Sequence, residues 1–342
     1  MKKKTRARLA RLSDVAPATP NQAGRELLEA ALFPRAYEAY VVALTGPLEP
    51  VEGKEPKRGK RSDREALPEP PPWFKGEETV HDVRVGTRRL VEALDLTAPL
   101  LPLEVRKALR ADAKKLRRAL GARREADVLI PDFRELVERA GVPGDAAGRV
   151  AEALGAAGAE GDAEIERNYP LDRLLRLGAR VVASVDALTD IPDSSWRDVG
   201  APHLFDRAAA AEAGLECLTD DDAQDAHHAL RLTFKRLRYA AELLASVFPE
   251  EIAEIRLRDL KKLQDALGQL QDAGDLLSFL DRDEVRSATD DAGWTRLHEL
   301  SRAHQMDRLI RAREVADRHA RDVIAAASRA AGKIGLFERT PA

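Results

Sequence analysis

Two short runs of cations carry the chemistry open to this sequence. On a helix advancing about 100° per residue, positions i, i+3 and i+7 share a face, so His81, Arg84 and Arg88 form one basic stripe, with Arg89 beside it. The same run returns 147 positions later as His228, Arg231, Lys235 and Arg236, without a gap, and is extended there by Arg238. The offset also pairs Lys114-Lys115-Leu116 with Lys261-Lys262-Leu263, and Ala119-Leu120-Gly121 with Ala266-Leu267-Gly268. Chance rarely holds one register over so long a stretch, and the chain reads as a duplicated unit. Arginine offers planar, often bidentate donation to phosphate oxygens and lysine a point charge, so the chemistry indicated is the holding of an anion. A histidine near a helix N-terminus donates to phosphate when protonated, or satisfies a backbone carbonyl and sets helix packing. The spacing leaves both roles open for His81 and His228.

The elements that must position these cations are helices. Hydrophobic residues make up 44% of the 342-residue chain but aromatic ones only 4%, and Ala, Leu and Val dominate, which favours helix-on-helix packing over sheets. The motif helices read Val83, Val85, Leu90 and Leu94 in the first copy and Leu230, Leu232 and Leu237 in the second, an apolar face adjoining the charged one. Each is followed by a proline, Pro102 or Pro249, and then by a second basic helix. The spacing predicts that helix over 103–120, with Val105, Leu109, Ala113 and Leu116 on one side and Arg106, Arg110, Lys114 and Arg117 on another. Its Leu-Gly step is expected to bend both copies.

Further helices are expected over 126–140, interrupted by Pro131, over 146–188, divided by Pro170, over 204–218, over 252–280, where the second basic helix repeats, and over 294–331. Residues 1–20 read as a flexible basic tail, 20–190 as the first helical repeat and 200–335 as the second. Residues 46–76, rich in Pro and charge, read as a long flexible loop within the first repeat, and 190–202 as the loop between repeats. The fold class is all-α, two helical repeats whose motif helices can face each other across a pseudo-twofold axis and line one basic central cavity. A pseudo-twofold arrangement places about a dozen cations around that cavity, which calls for a polyanion.

Charge totals alone do not point there. Lys plus Arg number 56 against 59 Asp plus Glu, a net charge of −3. The distribution does: from Glu104 to Arg124 there are nine basic residues against two acids. The single cysteine, Cys217, excludes an intramolecular disulfide and a cysteine-based metal site within one chain, and fits a reducing compartment. The start MKKKTRARLARLSDVAPATP lacks an apolar stretch behind its basic run, and no segment approaches about 18 uninterrupted apolar residues, so a cytoplasmic protein without a membrane partner is expected.

The runs HDVRVGTRRL and HHALRLTFKRLRYAAELL, each followed by a K-K-L-x-x-A-L-G segment, resemble the CHAD domain, the conserved histidine α-helical domain. LQDALGQLQDAGDLL from Leu263 is similar to that family's L-Q-x-x-L-G-x-x-x-D signature, and the resemblance spans residues 20–335. It implies paired four-helix bundles around a basic pore and binding of inorganic polyphosphate, with association to polyphosphate granules. It places the binding residues at His81, Arg84, Arg88, Arg89, Lys114 and Lys115 in the first copy. In the second they fall on His228, Arg231, Lys235, Arg236, Arg238, Lys261 and Lys262. Two departures stand out: Val91 occupies the position of Arg238, and Glu125 stands where an Asp is usual. The second copy is therefore expected to carry the larger share of the binding energy.

Catalysis finds no support. The chain has no E-x-E-x-K run, no G-x-x-x-x-G-K-[ST] loop and no G-x-S-x-G elbow. His298, His304 and His319 lack the Glu-x-x-His pairing of a helical di-metal site, so neither metal nor cofactor is expected. Two alternatives remain. A basic groove also accepts a nucleic-acid backbone, although Tyr239 is the one aromatic near the stripes available for base stacking. A helical scaffold without a polyanion requires the cations to pair internally with Asp272, Asp275, Glu125 and Asp127.

Overall fold

The computed structural model describes residues 76–140, 144–169, 177, 180–181, 193–217, 224–245 and 247–336. The expectation for the basic tail over 1–20 lies outside them, as does that for the loop over 46–76 except at Gly76, which opens the first helix. Among the described residues all regular structure is helical: α1 (Gly76–Leu96), α2 (Leu103–Ala119), α3 (Gly121–Ala140), α4 (Gly144–Asn168) and α5 (Asp193–Glu216) come first. They are followed by α6 (Gln224–Leu244), α7 (Pro249–Ala253), α8 (Leu257–Leu280), α9 (Asp283–Ala288) and α10 (Asp291–Leu336). At 46 residues α10 runs for about 70 Å and contacts α3, α4, α5, α7 and α8.

The two motif helices form because their apolar residues recur on one face. Val83, Leu90, Ala93 and Leu94 of α1 are buried, as are Leu230, Phe234, Leu237 and Ala241 of α6. Past the end of α1, the Thr97 hydroxyl donates to the Ala93 carbonyl at 2.7 Å, and Pro99, which has no N–H to give, stands in the turn that follows. The motif helices touch each other, and α1 also rests on α2, α3 and α5 while α6 rests on α5, α7 and α8.

One apolar core crosses the sequence boundary between the repeats. Leu90 and Leu94 of α1 and Leu109 and Leu116 of α2 belong to the same buried cluster as Trp196 of α5, Leu237 of α6, Leu263 of α8 and Ile334 of α10. A second cluster joins Leu129 and Phe133 of α3, Val150 and Leu154 of α4, Leu276 and Phe279 of α8 and Leu297 of α10. Helix α8 serves both, its N-terminal half the first and its C-terminal half the second.

Three expectations are corrected. The stretch from Asp193 to Pro202 is helix, the start of α5, because Trp196 and Val199 continue the buried face of Leu204, Ala208 and Ala211. Pro202 fits inside that helix on its exposed side. The Leu-Gly step bends only the first copy: α2 ends at Ala119 and α3 begins at Gly121, whereas α8 runs unbroken through Gly268, which is buried. Residues 252–280 are not one element either, since α7 closes at Ala253 before α8 begins at Leu257.

Helix α4 lies hard against the start of α3. A Cβ on Gly161 would stand 2.4 Å from the Arg123 backbone N and 2.7 Å from its Cα, so the two backbones approach as only glycine permits. Gly161→Ala is expected to push α4 off α3 and cost about 1–3 kcal/mol, read as a lowered urea midpoint at unchanged m-value.

Candidate functional site

The upper turns of the two motif helices place four cations in one neighbourhood. Arg84 and Arg88 stand one turn apart on α1, and Arg231 and Lys235 occupy the equivalent turns of α6. The α2–α3 corner adds Arg117 and Arg124, half-buried like the arginines of α1. Arg84 Nη1 donates to the Arg117 carbonyl at 3.1 Å, which ties α1 to that corner. The guanidinium groups of Arg84 and Arg231 are seated alike. A Cβ on Gly121 would meet Arg84 Nη1 at 3.9 Å, and a Cβ on Gly268, the equivalent glycine, would meet Arg231 Nη2 at 3.7 Å. Each Ala-Leu-Gly segment thus leaves a bare backbone beneath the arginine of its own copy.

These cations burden one another. Burial, and then the charges of Arg88, Arg124, Arg117 and Arg231, bring Arg84 down to about 10. Burial first and Arg88 next also lower Arg117. Burial lowers Arg124 despite Asp272 and Asp127, and lowers Arg231 despite Asp272. Lys235 is only 9% exposed; burial, Arg88 and Arg231 bring it down to about 6. The carboxyl nearest in effect is Asp272 of α8, itself pushed up to about 6 by burial, with Asp132 and Asp275 adding to the shift against Arg231 and Arg124. Among the described residues no carboxylate forms an ion pair with Arg84, Arg88, Arg231 or Lys235, and Arg231 Nε is buried without a hydrogen-bond partner.

The remaining expected residues divide into groups. Arg89 and Arg238 share one carboxylate of α6: Arg89 Nη2 reaches across from α1 to lie 2.6 Å from Glu242 Oε2, and Arg238 Nε lies 3.4 Å from Glu242 Oε1 one turn along its own helix. Both guanidinium groups also lie over the Tyr239 ring, at 5.8 and 5.2 Å from its centroid. Lys261 pairs with Asp265 and Lys262 with Asp259, each at 2.9 Å along α8 itself. Lys114, Lys115 and Arg236 are exposed, and the charge of Arg236 reaches Arg117. His81 is exposed. His228 is oriented: Gln271 Nε2 donates to Asp275 Oδ1 at 2.8 Å, which turns Gln271 Oε1 towards His228 Nδ1 at 2.6 Å. His228 Nδ1 therefore carries the hydrogen, and Nε2 is left to accept, or to donate once protonated.

Sequence reasoning missed Arg117 and Arg124 as members of this cluster. The signal was present: at the same offset Arg117 faces Gln264 and Arg124 faces Gln271. The first copy is therefore cationic at two positions where the second is neutral. Arg238, expected to weight the second copy, pairs with Glu242, which also takes Arg89 of the first. Of the four acids a self-paired scaffold requires, Asp272 acts on Arg231, Arg124 and Lys235 without forming an ion pair with any of them among the described residues, and the other three are engaged elsewhere. Glu125 meets Arg282 at 2.5 Å, Asp127 meets Arg123 at 2.7 Å, and Asp275 accepts from Gln271.

Comparison with known proteins gives the family of this helical chain. The family model for the CHAD domain matches residues 64–281, well over half of the sequence, and the chain belongs to that family. The crystal structure of the CHAD domain from the plant Ricinus communis is similar with a TM-score of 0.58 at 22% identity, over 88% of this chain and 92% of that one. PptA from Streptomyces chartreusis is similar with a TM-score of 0.56 at 16% identity, over 89% of this chain and 100% of its own. At these identities the likeness speaks for the all-helical fold. No curated protein matches the chain in sequence. No helix among the described residues is long and apolar enough to cross a membrane.

The lowered lysine has a consequence for stability. Unfolding returns Lys235 to its ordinary value of 10.5, so between about pH 6 and 10 the unfolded chain binds the extra proton and this residue's contribution rises with pH. Lys235→Met is expected to stabilise the protein at pH 7 by roughly 2 kcal/mol and to flatten the rise between pH 7 and 9, measured by urea unfolding at each pH.

Proposed function

We propose that this chain is a non-catalytic binding protein for inorganic polyphosphate, held along the cations that α1, the α2–α3 corner and α6 bring together. The observation that carries the reading is the absence, among the described residues, of any carboxylate paired with Arg84, Arg88, Arg231 or Lys235, in a chain with more acids than bases. Half-buried cations that repel one another are stabilised by an anion that reaches several at once. A linear polyphosphate presents a charge at each unit and needs no base recognition, so it suits a row of arginines with few aromatics. His228, with Nε2 available, supplies a further donor when protonated. Lys114, Lys115 and Arg236 extend the path on the exposed side. Recruitment to polyphosphate granules in the cytoplasm follows from such binding.

Titration calorimetry of the full chain with long-chain polyphosphate, a DNA duplex and an RNA of matched charge, at two salt concentrations, tests this reading. Polyphosphate is expected to bind tightest, with affinity falling steeply as salt rises because bound counterions are released. Equal or tighter binding of either nucleic acid replaces this reading with nucleic-acid binding. Replacing Arg84, Arg88, Arg231 and Lys235 together by Ala is expected to abolish binding while the helical circular dichroism persists. Retained affinity moves the site elsewhere.

Anion binding next to Lys235 favours its charged form, so complex formation at pH 7 is expected to take up protons. Calorimetry in buffers of different ionisation enthalpy reads that uptake directly, and Lys235→Met is expected to diminish it.

A further inference from the structure

Lys235 is the one lysine of the cationic cluster, and its setting differs from that of the other cations. It follows Arg231 by one turn on α6 and precedes Arg238 by three residues, with Arg88 acting on it from α1 and Asp272 from α8. Its side chain is enclosed, yet among the described residues no hydrogen bond or ion pair holds its amine. The lysines of α8, by contrast, are each tied to an aspartate.

We propose that Lys235 is a reactive amine that accepts acyl groups from small acyl phosphates, drawn in by the arginines around it. The arginines bind the phosphate end of such a donor, which brings its carbonyl carbon to the enclosed amine. Lys235 Nζ attacks that carbon, a C–N bond forms, and the C–O bond to phosphate breaks. Inorganic phosphate leaves with the electron pair and takes up the amine proton, so no oxidant, metal or further reactant is needed. Burial and the charges of Arg88, Arg231 and Arg238 outweigh Asp272 and hold the amine at about 6, so most of it carries a free lone pair at pH 7. An acylated nitrogen cannot regain a proton, so the modification removes a charge that a bound anion would restore. That regulatory consequence rests on the polyphosphate reading; the acylation itself does not.

The test is site-resolved mass spectrometry of the full chain treated with acetyl phosphate across pH 6–9. Lys235 is expected to be acetylated about tenfold faster at pH 7 than Lys114 and Lys115, with a rate that levels off above pH 7. A Lys235 rate equal to or below theirs overturns the proposal. Arg88→Ala weakens phosphate attraction and eases the repulsion on the amine, so it is expected to slow Lys235 several-fold while Lys261 is unaffected and the circular dichroism is unchanged. An unaltered Lys235 rate in that variant also overturns it. Added polyphosphate separates this inference from the binding reading. Fast labelling without protection leaves the reactive lysine standing and counts against polyphosphate at this site, whereas slow labelling in a chain that binds polyphosphate does the reverse.

Discussion

Everything in this structure turns on holding like charges close together without carboxylates between them. Arg84, Arg88, Arg117, Arg124, Arg231 and Lys235 act on one another strongly enough to shift several of their protonation equilibria downward, with burial the largest cause throughout. Left to themselves the two motif helices would part. What holds them is the apolar core behind, in which Leu90 and Leu94 of α1 share one buried cluster with Leu237 and Leu244 of α6. Burial of apolar side chains at roughly 1.5–3 kcal/mol each is large enough to offset such repulsion, while a small domain with a thin core could not.

The same helices show that the lack of counter-charges is local. In its last two turns α1 carries Glu92 and Asp95, and both are consumed by α5. Glu92 Oε1 accepts from Arg207 Nε at 2.5 Å and lies 2.8 Å from His203 Nε2, while Asp95 takes Arg207 Nη2 at 3.1 Å and also pairs with Arg110. Burial opposes ionisation of Glu92, but the hydrogen bonds from His203 and Arg207 outweigh it and hold the carboxyl below its usual range. At the position equivalent to Asp95, α6 has Glu242, which takes Arg89 and Arg238. Each motif helix is thus divided: paired charges in the C-terminal turns join it to other helices, and unpaired cations in the N-terminal turns face one another.

Much of this was legible in the sequence, for reasons of period and offset. Helix spacing gave the charged and apolar faces of α1 and α6, and the fixed offset of 147 identified the positions whose equivalents would meet. What could not be read was which cation meets which acid, since that depends on how helices cross. Arg89 and Arg238 carry the same residue type as Arg84 and Arg231, yet a shift of a few residues along each helix places them over Tyr239 and Glu242. Lys261 and Lys262 repeat Lys114 and Lys115 in sequence, but Asp259 and Asp265, at i−3 and i+4 on the same helix, capture them. The α5 start was hidden for a different reason: 190–202 read as a loop, and only the burial of Trp196 and Val199 reveals that tertiary packing prevails there.

The two motif segments, 147 positions apart in the sequence, differ in charge where their helices differ in geometry. The equivalents of Arg117 and Arg124 are Gln264 and Gln271, and each copy differs just where its partner's geometry asks for something different. Helix α8 is continuous and buried along most of its length, so a charge at position 264 would be enclosed, and glutamine there is already buried with Nε2 unpartnered. The α2–α3 corner breaks at Gly121, which leaves Arg117 and Arg124 half-exposed and able to remain charged. Gln271, in turn, orients His228, a task an arginine could not perform because it has no acceptor to offer Nδ1. The break in one copy and the unbroken helix in the other therefore decide where the cations sit. The bend supplies charge, and the continuous helix supplies the scaffold and an oriented histidine against which that charge is held.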